Sequence, residues 1–289
     1  MATPNVFNTF HFLVLHFPIA LIVVSFLCDL VASFVKKSKW NATLKRAGFM
    51  TLIATSVMGI VTCLAGLVAA ESLGLMAQIG AHATKAIIFT IYVTLLAVIR
   101  IVFFKSTKKD FGDNLFYLIF SLIGAILAFT LFKVYRYPHW GVLQFTVPLI
   151  IIGFLADLSA VIWKAKSWAK SFQDIGYSFL ILGTVAIIAT VITGYMRAAE
   201  MPALAHAAVN PVKYNRAALE LHETWGVISM IAFIILSAVR SYFHFHFEAK
   251  DLLKGKTVYI VGAVVCIAII SFASHLGGTV ALFPELFGK

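Results

Sequence analysis

Residues 11–30, HFLVLHFPIALIVVSFLCDL, recur at residues 139–158 as HWGVLQFTVPLIIIGFLADL, offset by 128 with no gap. Ten of the twenty aligned positions are identical. Most of these are apolar and match readily in an apolar chain. His11/His139 and Asp29/Asp157 are different, because a polar residue near each end of an apolar segment is held at one separation in both copies. The segment has the length, about 20 residues, that a helix needs to cross roughly 30 Å of hydrocarbon. The chain therefore reads as two copies of one membrane unit.

Similar apolar runs fill the rest of the 289 residues. Hydrophobic residues make up 61% and charged residues 12%, where a soluble domain carries roughly 25% charged. The runs are continuously apolar rather than alternating, which selects helices over a membrane barrel. Eight helices are expected, near 8–34, 45–70, 82–104, 113–137, 140–164, 175–197, 219–243 and 257–280. The first run lacks a preceding basic residue and a small-residue cleavage site, so it is expected to remain as the first helix.

The side reached after helices 1, 3, 5 and 7 holds 16 of the 23 basic residues. Short basic loops stay in the cytoplasm. Both termini are thus expected outside, in the periplasm of a bacterium whose cytoplasmic (inner) membrane holds the chain. The net charge of +11 then reflects orientation, not a nucleic-acid partner. The expected fold class is an all-α membrane protein of eight transmembrane helices, with the lipid bilayer as its first partner. The helices form two tandem four-helix bundles, 1–137 and 138–289.

The repeat extends beyond the first helix. Ala69-Ala70-Glu71 matches Ala198-Ala199-Glu200 at an offset of 129, and residues 82–100 match 222–240 at 140. The pairs include His82/His222, Thr84/Thr224 and Arg100/Arg240. The jump in offset places an insertion of 11 residues within 201–218, a loop that contains His206. Helices 4 and 8 match poorly. An even number of helices per copy gives both copies one orientation, related by an axis along the membrane normal. Glycines such as Gly59, Gly66 and Gly194 suit close helix contacts in lipid.

Ionisable groups at membrane depth are costly and mark function or specific pairing. Asp29 and Arg100, and their repeats Asp157 and Arg240, fall near the cytoplasmic ends of helices 1, 3, 5 and 7. They are expected as structural ion pairs that fix bundle register, in preference to a proton path.

Seven of the nine histidines fall on the outer side, opposite to the bias of lysine and arginine. His11, His16 and His139 begin helices 1 and 5, His82 and His222 begin helices 3 and 7, and His275 ends helix 8. These six are the candidate cofactor-binding residues. Facing neutral imidazoles can ligate a b-type haem. Imidazoles with carboxylates or thioethers can hold copper, zinc or iron. A histidine near the interface can also exchange protons with a quinone head group. Set against these is a purely local role, in which each imidazole bonds a backbone carbonyl. His11 and His16 are five residues apart, about 140° around a helix, and cannot share a face. Glu71, Glu200 and Glu223 fall at the same level as candidates to orient imidazoles.

No phosphate-binding loop, dinucleotide fingerprint or nucleophile elbow occurs. Cys28, Cys63 and Cys266 form no C-x-x-C pair and read as small core residues.

The opening segment H-F-L-V-L-H-F-P-I-A (11–20) and the closing segment His275-Leu276-Gly277-Gly278-Thr279-Val280 resemble a bacterial membrane-domain family of unassigned function. Its first helix typically reads H-P-x-x-V-H-F-P-I-A, and its last ends in a Gly-Gly segment. Phe12 stands where that family has proline, and the second copy lacks H-F-P. The resemblance implies a four-helix unit, sometimes fused or adjacent to c-type cytochromes, in a redox setting.

The leading expectation is an integral membrane electron-transfer subunit that binds haem b near the outer face. It would exchange electrons with quinol or a periplasmic c-type cytochrome inside a larger respiratory complex. The alternatives are a cofactor-free scaffold or assembly subunit of such a complex, and a metal-handling or transport protein.

Overall fold

A computed structural model describes residues 10–11, 14–38, 40–72, 74, 76–107, 114–131, 138–163, 169–205, 216–246 and 252–277. Among these residues the chain is helical. The elements are α1 (His16–Phe34), α2 (Asn41–Ser72), α3 (Met76–Thr107), α4 (Leu115–Leu131), α5 (Pro138–Ile162), α6 (Ala169–Ala205), α7 (Arg216–His246) and α8 (Leu252–His275). A helical turn precedes α1, since the Leu15 N–H donates to the His11 carbonyl at 3.0 Å. Seven of the helices are long and apolar enough to cross a membrane, and α4 is apolar but shorter.

Several helices run past the expected limits. The apolar pattern predicts a helix opening at residue 82, yet α3 begins at Met76 and α2 continues to Ser72. Gly74 accounts for the tight connection. Its φ of +67° is the left-handed conformation that ends helices, and its N–H returns to the Glu71 carbonyl at 3.0 Å. His82 consequently lies nearly two turns inside α3 rather than at its first residue, and His222 lies as far inside α7. His206 lies outside the described residues.

The chain divides into two compact units, Met1–Tyr137 and Pro138–Lys289. In the first, α1 packs on α2 and α4, and α3 packs on α2 and α4, which closes a four-helix ring. Its core gathers Ile19, Ile22, Leu52, Phe89, Val93 and Tyr117. In the second, α5 packs on α6 and α8, and α7 on the same two helices. Ile150, Leu180, Ile187, Phe233, Tyr259 and Ile270 fill that core. The outer faces carry Leu64, Ile88, Phe116, Ile235 and Val261, all more than 40% exposed. Large apolar side chains on the exposed face of a bundle are the pattern of a lipid-facing surface.

Candidate functional site

Each unit holds a charge pair toward one end of its helices. In the first unit Arg100 donates to both oxygens of Asp29, at 2.6 and 2.9 Å, and both side chains are fully buried. Arg100 also donates to the Tyr117 hydroxyl at 2.9 Å and to the Lys45 carbonyl at 3.2 Å. Its guanidinium lies 4.9 Å from the Tyr117 ring centre and 5.4 Å from that of Phe49. A planar fork that meets a carboxylate through two bonds, with rings beside it, is well suited to a buried arginine. Gly48 of α2 faces Asp29 so closely that any Cβ there would collide with the carboxylate.

The second unit repeats the arrangement. Arg240 donates to Asp157 at 2.9 and 3.3 Å and to the Gln173 carbonyl at 3.2 Å, and Gly176 faces the carboxylate. Tyr177 and Tyr259 flank the guanidinium. Here the Tyr259 hydroxyl donates to Asp157 at 2.8 Å, and in the first unit Tyr117 accepts from Arg100.

Toward the other end of each unit lie the histidines. His11 Nδ1 bonds the Thr62 carbonyl at 3.1 Å, His139 Nδ1 the Thr190 carbonyl at 3.0 Å, and His222 Nδ1 the Ala273 carbonyl at 2.8 Å. A carbonyl only accepts, so the proton sits on Nδ1. In the neutral ring the lone pair then belongs to Nε2. Each ring rests on a glycine, Gly66 of α2, Gly194 of α6 and Gly277 two residues past α8 respectively, where a Cβ would fall within 3.1 Å of the imidazole. His139 precedes the apolar span of α5, and burial holds it below the ordinary histidine value against the opposing pull of the Thr190 carbonyl. At Nδ1 of His11, His139 and His222 no carboxylate takes the orienting part. The Nδ1 partners are main-chain carbonyls, and Glu200 instead pairs with Arg197 at 2.7 Å on its own helix.

His139 and His222 face each other across the second bundle, ring centres 6.5 Å apart and planes at 80°. In the first unit His11 and His82 line one cavity. His16 begins α1 and is half-buried; His275 ends α8, two residues past the carbonyl that holds His222, with its side chain exposed.

The structure brings out a finer repeat. The spacing from His11 to Asp29 is 18 residues, and so is the spacing from His82 to Arg100, from His139 to Asp157 and from His222 to Arg240. Eighteen residues are about five helical turns, so both groups lie on one face. The bonded carbonyl lies 51 residues after His11, His139 and His222, and the seating glycine four residues later. The repeating element is thus a helical hairpin. Hairpins α1–α2 and α5–α6 carry aspartate, and hairpins α3–α4 and α7–α8 carry arginine.

Residues 8–133 match the family of predicted membrane proteins DUF2231. The DUF2231 match begins ahead of His11 and ends just past α4, so it spans His11, Asp29, His82 and Arg100. It agrees with the membrane-domain character expected from the opening motif and assigns no activity. Comparison with curated proteins and with solved structures gives no match.

The residues can be tested against the groups expected to bind. Among the described residues no cluster of three or more histidine, cysteine or acidic side chains converges. A bare metal ion would therefore find two of these ligands at most among them. A haem iron asks the protein for two imidazoles, and His139 and His222, with ring centres 6.5 Å apart, are the two residues that would hold it.

Proposed function

We propose that the chain is an electron-transfer subunit of a bacterial cytoplasmic membrane, working within a larger respiratory complex. In this reading all eight helices span the membrane as two tandem four-helix copies. Both termini and the histidine ends face outward. His139 and His222 hold a b-type haem, and His11 and His82 are the corresponding pair of the first unit.

The carrying observation is the inter-helix pair. Two imidazoles face each other, each with Nδ1 fixed on a main-chain carbonyl, so each Nε2 lone pair is available to a ligand site. Main-chain bonds of this kind orient metal-ligating histidines generally. When bound, haem would supply reversible one-electron transfer. The chain itself positions two imidazoles and surrounds them with apolar helices, which govern potential and solvent access.

The test is a visible spectrum of the purified chain, made with ample haem, before and after dithionite. A Soret band with reduced α and β bands is expected, weakened by His222→Ala. A featureless spectrum from intact protein would overturn the haem assignment. The imidazoles would then be helix clamps, as in the cofactor-free scaffold.

A further inference from the structure

The turn that joins α1 to α2 concentrates positive charge beside an apolar ridge. Residues 35–46 hold five basic residues and no acidic one. The backbone of the turn closes on itself. The Ser38 N–H donates to the Val35 carbonyl at 2.9 Å, and the Asn41 N–H to the Ser38 carbonyl at 3.0 Å. The Asn41 side-chain amide ties the turn back to the Ala32 carbonyl at 2.7 Å. Lys36 and Lys37 project from this braced turn and are exposed. Among the described residues neither forms an ion pair, and Asp29, the acidic residue of α1, is bonded inside the bundle to Arg100.

The ridge leads to the same point. Leu27, Val31 and Phe34 lie at i, i+4 and i+7 on α1, so they share one face, and they are 47%, 44% and 79% exposed. Phe34 stands two residues before Lys36. Trp40, in the turn, is 37% exposed, and an indole in such a place marks the level of lipid head groups. An apolar strip that ends in ammonium groups matches a ligand with an acyl chain and a phosphate. A zwitterionic lipid would bring its own cation against the lysines; an anionic one would not. The second copy differs here. Its corresponding residues, 163–174, hold three basic residues, and Asp174 stands where the first copy has Arg46. Lys170 there is bonded to Asp174 at 2.9 Å.

We infer that this turn and ridge bind an anionic phospholipid of the surrounding leaflet, its phosphate at Lys36 and Lys37 and an acyl chain along Leu27, Val31 and Phe34. The inference rests on α1 and α2 lying in a membrane and not on haem. The full-length chain in mild detergent would be titrated with phosphatidylglycerol and with phosphatidylcholine of the same acyl chains, and bound lipid counted by native mass spectrometry. Phosphatidylglycerol is expected to bind about tenfold or more tighter. A lysine near the surface strengthens anionic-lipid binding about fivefold, so Lys36→Gln/Lys37→Gln should remove most of that preference. Lys36→Glu/Lys37→Glu should abolish it. Phe34→Asn should weaken both lipids alike. Lys170→Gln, which removes an ammonium already bonded to Asp174, should leave the preference unchanged.

Equal affinity for the two lipids, or an undiminished preference in both lysine variants, would overturn the site. So would a preference lost from Lys170→Gln and kept in the Lys36 and Lys37 variants. Displacement of the lipid by an equal concentration of glycerol phosphate would overturn it as well, because the ridge would then contribute nothing. The absorption spectrum of the same samples reports separately on the haem assignment.

Discussion

A glycine defines the seat of each of three imidazoles. At Gly194 the side chain of His139 comes so near that an added Cβ would lie 3.1 Å from Cε1. A side chain there crowds the ring at Cε1 and at Nδ1, 3.3 Å away, so the imidazole has to shift on its seat beside the Thr190 carbonyl. We expect Gly194→Val to remove the haem spectrum of the second unit while the protein still purifies as a helical membrane protein. At Gly80 of α3 an added Cβ would meet nothing within 4 Å, so Gly80→Ala is the neutral comparison. An unchanged spectrum in Gly194→Val would break the link between seat and cofactor. The sequence made the histidines and both charge pairs legible, because a polar residue stands out in an apolar run. It hid the partners of Nδ1: main-chain carbonyls of Thr62, Thr190 and Ala273 carry no side-chain signature.

Among the helices, each aspartate–arginine pair joins the two hairpins of its unit. Replacing one partner leaves the other charge buried and uncompensated, at a cost of about 3–5 kcal/mol, whereas replacing both with apolar residues costs far less. Asp29→Asn should therefore destabilise the first unit by about 3–5 kcal/mol. The double variant Asp29→Leu/Arg100→Leu should recover much of that loss, as read by thermal unfolding in detergent. If the double variant proved the less stable, the pair would be contributing more than neutralisation. The tyrosines that complete these networks escape the repeat because their offset is 142, from Tyr117 to Tyr259, rather than 128 or 140. The early start of α3 is also hidden. A run of mixed polarity between Ser72 and His82 resembles a loop until the left-handed Gly74 is seen to end α2 at once.

At the scale of the whole chain, each unit has its own apolar core, its own charge pair and its own histidines. Residues 1–137 and 138–289, expressed as separate chains, should each insert and remain helical and monodisperse in detergent. Aggregation or degradation of either half, with the intact chain stable, would show that the units depend on one another. Membrane character and the duplication are plain from the apolar runs and the offset of 128. The smaller hairpin repeat is not, because aspartate in one hairpin is answered by arginine in the next, and complementary residues do not align as similar.

The fixed spacing between histidine and charge also acts as a calliper. Eighteen residues of helix rise about 27 Å, close to the roughly 30 Å of a bilayer's hydrocarbon. Every hairpin thus carries a polar mark toward each end of its first helix, and the charged marks of facing helices bond to each other. A bundle pinned at two depths tolerates little sliding of one helix past another. A single residue inserted between His11 and Asp29 would swing the carboxylate about 100° from Arg100 while leaving the imidazole in place. A bilayer much thinner or thicker than this spacing would have to deform around the protein or tilt each bundle as one body, because its helices cannot adjust singly.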